Sequence, residues 1–131
     1  MKTPLAKVKH LGSARSGTHH HVNIRVTAVF MLVLLNWFII STVYLMAYGP
    51  EVLGDYMRAP MNLFMAIMFI GTSLYHATLG LQTVIEDYVH CRMLKISALI
   101  GLYFFNIVTF VASCVTVFGI HIVGLIIKIF N

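Results

Sequence analysis

Apolar positions in this chain come in three long runs, and the charged ones cluster between them. No Asp, Glu, Lys or Arg lies between Arg25 and Glu51, between Arg58 and Glu86, or between Lys95 and Lys128. Each gap exceeds the roughly 20 residues that an apolar helix needs to cross a bilayer. The pattern predicts an all-α membrane protein with three transmembrane helices, over about residues 23–48, 60–89 and 96–127. A water-soluble bundle would need polar helix faces, and these runs offer none. Gly49 and Pro50 end the first span: proline breaks a helix, and glycine adopts positive φ. Glu51–Ala59 form a short outer loop, with room for a turn of interfacial helix around Tyr56. Pro60 suits the first turn of the second helix, where its missing N–H costs nothing. His90–Lys95 connect the second and third spans. The third run is longer than a span requires, so it should tilt or protrude.

Composition agrees with the pattern. The 131 residues suffice for one small domain, with 60% hydrophobic and 10% charged residues against about 25% charged in soluble domains. The net charge of +5 is not a nucleic-acid footprint. Five of the nine basic residues (Lys2, Lys7, Lys9, Arg15, Arg25) precede or open the first span, and Arg92 and Lys95 sit in the second connector. Basic loops stay on the cytoplasmic or matrix side. The predicted orientation is therefore N-terminus inside, C-terminus outside. Cys91 and Cys114 lie too far apart along the helices to give a disulfide framework. No CxxC or CxxCH is present, so zinc fingers and covalent c-type haem are not indicated.

Residues 1–22 form a basic, acid-free arm. Gly12, Ser13, Ser16 and Gly17 argue against a long stable helix there. The arm is superficially similar to a mitochondrial transit peptide, but we expect it to be retained. A cleaved secretory signal fits less well, because the apolar run that follows is too long for one. His19, His20 and His21 do not face one ion together, since neighbouring side chains point apart. They read as interfacial polar residues. Asn36, deep in the first span beside Trp37, reads as a helix–helix hydrogen-bonding group. Ser97, Gly101, Ser113 and Gly119 would permit close packing of the third span.

The candidate chemistry lies in Tyr75–Tyr88, at the end of the second span. A histidine inside a bilayer is expensive and is a functional hypothesis by default. His76 could be satisfied by a bond to a neighbouring helix, or it could ligate haem iron. Gly80 lies about 40° from His76 around the helix, one turn on, and removes a side chain that would meet a porphyrin. Thr83 and Asp87 fall about 20° to either side of His76. His121 is near the far end of the third span, so a six-coordinate haem would take its other ligand from another chain. Glu86, Asp87 and Tyr88 reach the inner interface. They read either as a solvated helix end or as a quinone site, with Tyr88 as phenolic donor and Asp87 as acceptor. Arg25 reads as a snorkelling anchor or as a partner for a haem propionate.

These residues resemble the hydrophobic membrane-anchor subunit of succinate dehydrogenase, respiratory complex II. The resemblance rests on His76-x3-Gly80-x6-Asp87-Tyr88, on Ser16-Gly17-Thr18-His19, and on Arg25-Val26-Thr27-Ala28. The arm looks most like alphaproteobacterial or mitochondrial members. The resemblance implies that His76 is an axial ligand of haem b, with the other ligand from a second anchor subunit of the cytochrome b type. It implies that Tyr88 hydrogen-bonds ubiquinone and that Asp87 supports that site. Arg25 and His19 would then lie near a haem propionate, and Gly80 beside the haem. His20 and His21 have no role to carry over. The implied partners are that cytochrome b-type anchor subunit, the iron–sulfur subunit and the flavoprotein subunit. The implied setting is a bacterial inner membrane or the mitochondrial inner membrane, in electron transport and the tricarboxylic acid cycle. No residue here is expected to oxidise succinate; the chain would be the non-catalytic anchor of a quinone-reducing enzyme. Two other readings stay open: a haem-free structural anchor of a fumarate reductase-like complex, and a small b-type cytochrome.

Overall fold

The computed structural model describes residues 15–130. Most of the basic arm expected over residues 1–22 lies outside the described residues. Four helices and one short turn make up the rest: α1 (Arg15–Tyr48), a 3₁₀ turn (Pro50–Val52), α2 (Leu53–Arg58), α3 (Pro60–Tyr88) and α4 (Arg92–Phe130). The boundaries follow the proline and glycine chemistry. Gly49 takes φ +87° between α1 and the 3₁₀ turn, and is the one residue with positive φ among those described. Ala59 is extended (φ −64°, ψ 119°), as a residue before proline prefers, and Pro60 opens α3. α2 is the interfacial turn expected around Tyr56.

α1 begins at Arg15 rather than near Asn23, and Ser16 and Gly17 lie within it. Their poor helix propensity amounts to about 1 kcal/mol for glycine. The contact of His20 with α3 works against that penalty. α1, α3 and α4 are each long and apolar enough to cross a membrane.

α3 packs against α1 on one face and against α4 on the other. The α1–α3 seam is antiparallel with a seven-residue repeat. His20 meets Thr83 and Thr27 meets His76, seven residues along each helix. Leu34 and Ser41, at the next two repeats on α1, are buried. Phe38 and Phe69 stack in the same seam, with centroids 4.6 Å apart and planes 14° from parallel. A seven-residue repeat keeps one seam in contact through a left-handed supercoil. On the opposite face of α3, Thr78 accepts from Asn106 and Gln82 accepts from the Tyr103 hydroxyl. Gly71 lets the Phe110 ring approach, where a Cβ would stand 3.2 Å from it. Gly54 of α2 rests directly on Gly124 of α4, so a Cβ on Gly124 would lie 2.5 Å from the Gly54 carbonyl oxygen.

This interior is thin. Among the described residues, Leu34, Ala66 and Leu79 are the only buried hydrophobic side chains, while Phe104 is 70% exposed and Ile40 69%. Water would not tolerate that surface; lipid and partner helices would. Several hydroxyls in the spans are satisfied within their own helix. Thr42, Thr109, Ser113 and Thr116 each donate to the carbonyl four residues back. Asn36 does the same, donating to Leu32 on its own exposed face, and makes no interhelical bond among the described residues. A Cβ placed on Gly101 or Gly119 would meet nothing within 4 Å, and Ser97 is exposed. The close glycine contacts fall at Gly71 and Gly124 instead, because α3 turns Gly71 toward α4 and α4 turns Gly124 toward α2.

Candidate functional site

The site is built along α3. His76 is half-buried in the α1–α3 seam, and its Nδ1 lies 2.8 Å from Thr27 Oγ1. Among the described residues, Nε2 has no hydrogen-bond partner. Ser73, one turn earlier, holds the one buried side-chain oxygen without a hydrogen bond among those residues. Gly80, one turn later, is exposed, and among the described residues nothing beyond its own helix backbone stands within 4 Å of where its Cβ would be. A half-buried imidazole with one nitrogen held and the other open, next to an unfilled glycine notch, fits an axial ligand beside a flat macrocycle.

Asp87 and Tyr88 occupy the last turn of α3 and are exposed, Tyr88 at 78%. Glu86 is engaged otherwise: its carboxylate accepts from Gln82, and its carbonyl accepts from Lys95 Nζ at 2.7 Å. Lys95 thus satisfies a terminal carbonyl and sets a positive charge at the negative end of the helix. His90 Nδ1 donates to the Tyr88 carbonyl at 3.0 Å. The backbone of this corner is therefore braced, while the Tyr88 phenol and the Asp87 carboxylate have no bond to any described residue. Twelve residues separate Tyr88 from His76, about 18 Å along the helix.

The remaining candidates lie on α1. Arg25 is exposed and forms no ion pair among the described residues, where Arg58–Asp55 is the single salt bridge. It precedes Thr27 by two residues, so it lies close to the level of His76 but about 160° around α1 from Thr27. Among the described residues, no hydrogen bond joins Arg25 or His19 to α3. His20 is the member of the histidine tract that reaches α3, through a 3.0 Å contact with Thr83; His19 and His21 are exposed. His121 sits at the other end of the bundle, and its Nδ1 donates to the Met57 carbonyl. No group of three or more His, Cys, Asp or Glu gathers among the described residues. The apolar clefts between the long helices are lined by residues such as Phe30, Gly71, Tyr75 and Phe110, and include none of His76, Asp87 or Tyr88.

Thr27, His20 and Thr83 join the site only through the packing of α1 on α3. A signal for them is nonetheless present in the chain: positions 20, 27, 34 and 41 repeat every seven residues, as do 62, 69, 76 and 83.

Fold and site together define a small integral membrane protein of three spans that carries His76 midway along the α1–α3 seam and His20 nearer its end. The family model described as "Succinate dehydrogenase/Fumarate reductase transmembrane subunit" matches residues 1–120. The chain belongs to this family. It is 36% identical over 117 residues to the succinate dehydrogenase hydrophobic membrane anchor subunit of Rickettsia bellii, covering 89% of this chain and 94% of that protein. The subunit of the same description from Rickettsia conorii is 34% identical over 118 residues, with the same coverage. That from Paracoccus denitrificans is 31% identical over 86 residues, covering 66% of this chain and 67% of its own length. No solved structure matches.

Proposed function

We propose that this anchor subunit supplies one axial ligand of haem b through His76 and part of a ubiquinone site through Asp87 and Tyr88. The observation that carries the haem reading is the open Nε2 of His76 beside the empty notch at Gly80. When bound, haem supplies a one-electron carrier within the membrane. His76 would ligate it, Gly80 would leave space beside it, and Arg25 and His19 of α1 would offer cationic or donor groups to its carboxylates. His121 is held at the opposite end of the bundle, so a second protein ligand would come from another chain, which the family resemblance implies is the cytochrome b-type anchor subunit.

At the inner corner, the Tyr88 hydroxyl donates to a quinone carbonyl, and Asp87 orients the site and accepts a hydrogen bond. Both side chains are uncommitted among the described residues, which supports the reading. The N-terminus and the His90–Lys95 connector lie on the cytoplasmic or matrix side, following the basic residues. On that side the anchor holds the iron–sulfur and flavoprotein subunits to the membrane. The membrane is a bacterial inner membrane or the mitochondrial inner membrane.

The test is a reduced-minus-oxidised spectrum of the purified complex. Wild type should give a low-spin b-type haem, and His76→Leu should abolish it or convert it to high spin. A low-spin spectrum unchanged in His76→Leu would refute the assignment.

A further inference from the structure

We propose that Thr27 is a positioning residue that fixes the tautomer of His76, holding Nδ1 protonated so that the Nε2 lone pair is kept for iron. The proposal rests on the haem reading above. Thr27 Oγ1 is the centre of a three-way contact. It lies 2.8 Å from the Asn23 carbonyl, 3.1 Å from the Ile24 carbonyl and 2.8 Å from His76 Nδ1. A hydroxyl has one proton. Both carbonyls can only accept, and Thr42, Thr109 and Thr116 in these helices donate to the carbonyl four residues back. With the Thr27 proton directed at Asn23, its oxygen presents lone pairs to His76. The imidazole must then donate from Nδ1.

The result is a relay from His76 Nδ1–H to the Thr27 hydroxyl to the Asn23 carbonyl. Each donor polarises the next in a low-dielectric setting. Metal-ligating histidines commonly donate their second ring N–H in this way, which sets ring orientation and raises ligand basicity. Here the acceptor is a neighbouring helix, so the α1–α3 register itself holds the ring. A purely packing role for Thr27 would need only its methyl group. The relay needs its oxygen.

The variants follow from that distinction, measured in the assembled complex. Thr27→Val keeps the shape and removes the acceptor; Thr27→Ala removes the hydroxyl and the methyl together. Thr27→Ser keeps the oxygen. Thr42→Val, on the same helix, removes a hydroxyl that among the described residues bonds only to the Phe38 carbonyl. The readouts are haem midpoint potential, the ferric low-spin electron paramagnetic resonance signature, and haem content per complex. Loss of the Nδ1 acceptor weakens donation from the ligand. Thr27→Val and Thr27→Ala should therefore shift the midpoint potential upward, change the low-spin signature and lower haem content. Thr27→Ser and Thr42→Val should match wild type. Wild-type potential and signature in Thr27→Val and Thr27→Ala would overturn the inference while leaving His76 as ligand. A low-spin spectrum that survives His76→Leu would overturn it together with the haem reading, and that variant tells the two failures apart.

Discussion

His121 of α4 donates from Nδ1 to the Met57 carbonyl of α2, 2.8 Å away, and so clamps the segment between α1 and α3 to the third span. This is a structural histidine. His121→Leu should leave the haem spectrum of the complex intact. It should lower stability by about 1 kcal/mol, the scale of an interhelical hydrogen bond in a membrane. Thermal denaturation of the purified complex, with the spectrum recorded alongside, checks both parts.

Gly124→Leu should weaken the same end of the bundle more severely. Even a Cβ there would meet the Gly54 carbonyl carbon at 2.9 Å, and that contact is backbone, which cannot rotate away. The expected cost is about 1–3 kcal/mol or more, by analogy with methylenes inserted into packed cores. The measurement is the yield of assembled complex and its melting temperature.

Gly80→Leu should displace haem without disturbing the fold of this chain. Among the described residues, nothing beyond its own stretch of helix backbone lies within 4 Å of the position its Cβ would take. The assembled complex should lose haem content while His76 stays in place. Full haem content in this variant would show that the macrocycle does not approach α3 at Gly80.

Tyr88→Phe should leave succinate oxidation by an artificial acceptor unchanged and reduce ubiquinone reduction by roughly 10- to 100-fold. That range corresponds to the loss of one hydrogen bond of about 1.5–3 kcal/mol. Asp87→Leu should act in the same direction. Steady-state assays with both acceptors separate a quinone-site defect from failed assembly.

Cys91 gives a native probe of orientation, since it is exposed in the connector between α3 and α4. A membrane-impermeant thiol reagent added from outside should label Asp55→Cys but not Cys91 in sealed vesicles. Labelling of Cys91 from outside would reverse the proposed topology.

The spans were legible in the sequence because charge is nearly forbidden in hydrocarbon. The gaps after Arg25, Arg58 and Lys95 therefore mark α1, α3 and α4 without reference to any contact. Pro50 and Pro60 were equally legible as boundaries, since their effect on the backbone is local. So was the alignment of His76, Gly80 and Asp87, because helical spacing is a property of one segment. Spacing names a face but not what stands opposite it. Asn36 looked like interhelical glue and instead donates to Leu32, because no described helix of this chain covers its side of α1. Gly101 and Gly119 looked like packing positions and face open space, while Gly124 meets backbone. The pairing of Thr27 with His76 and of His20 with Thr83 required the antiparallel register of two helices. That register is set by side chains far apart in the chain, Phe38 and Phe69 and the buried seam positions among them, and only their packing in three dimensions decides it.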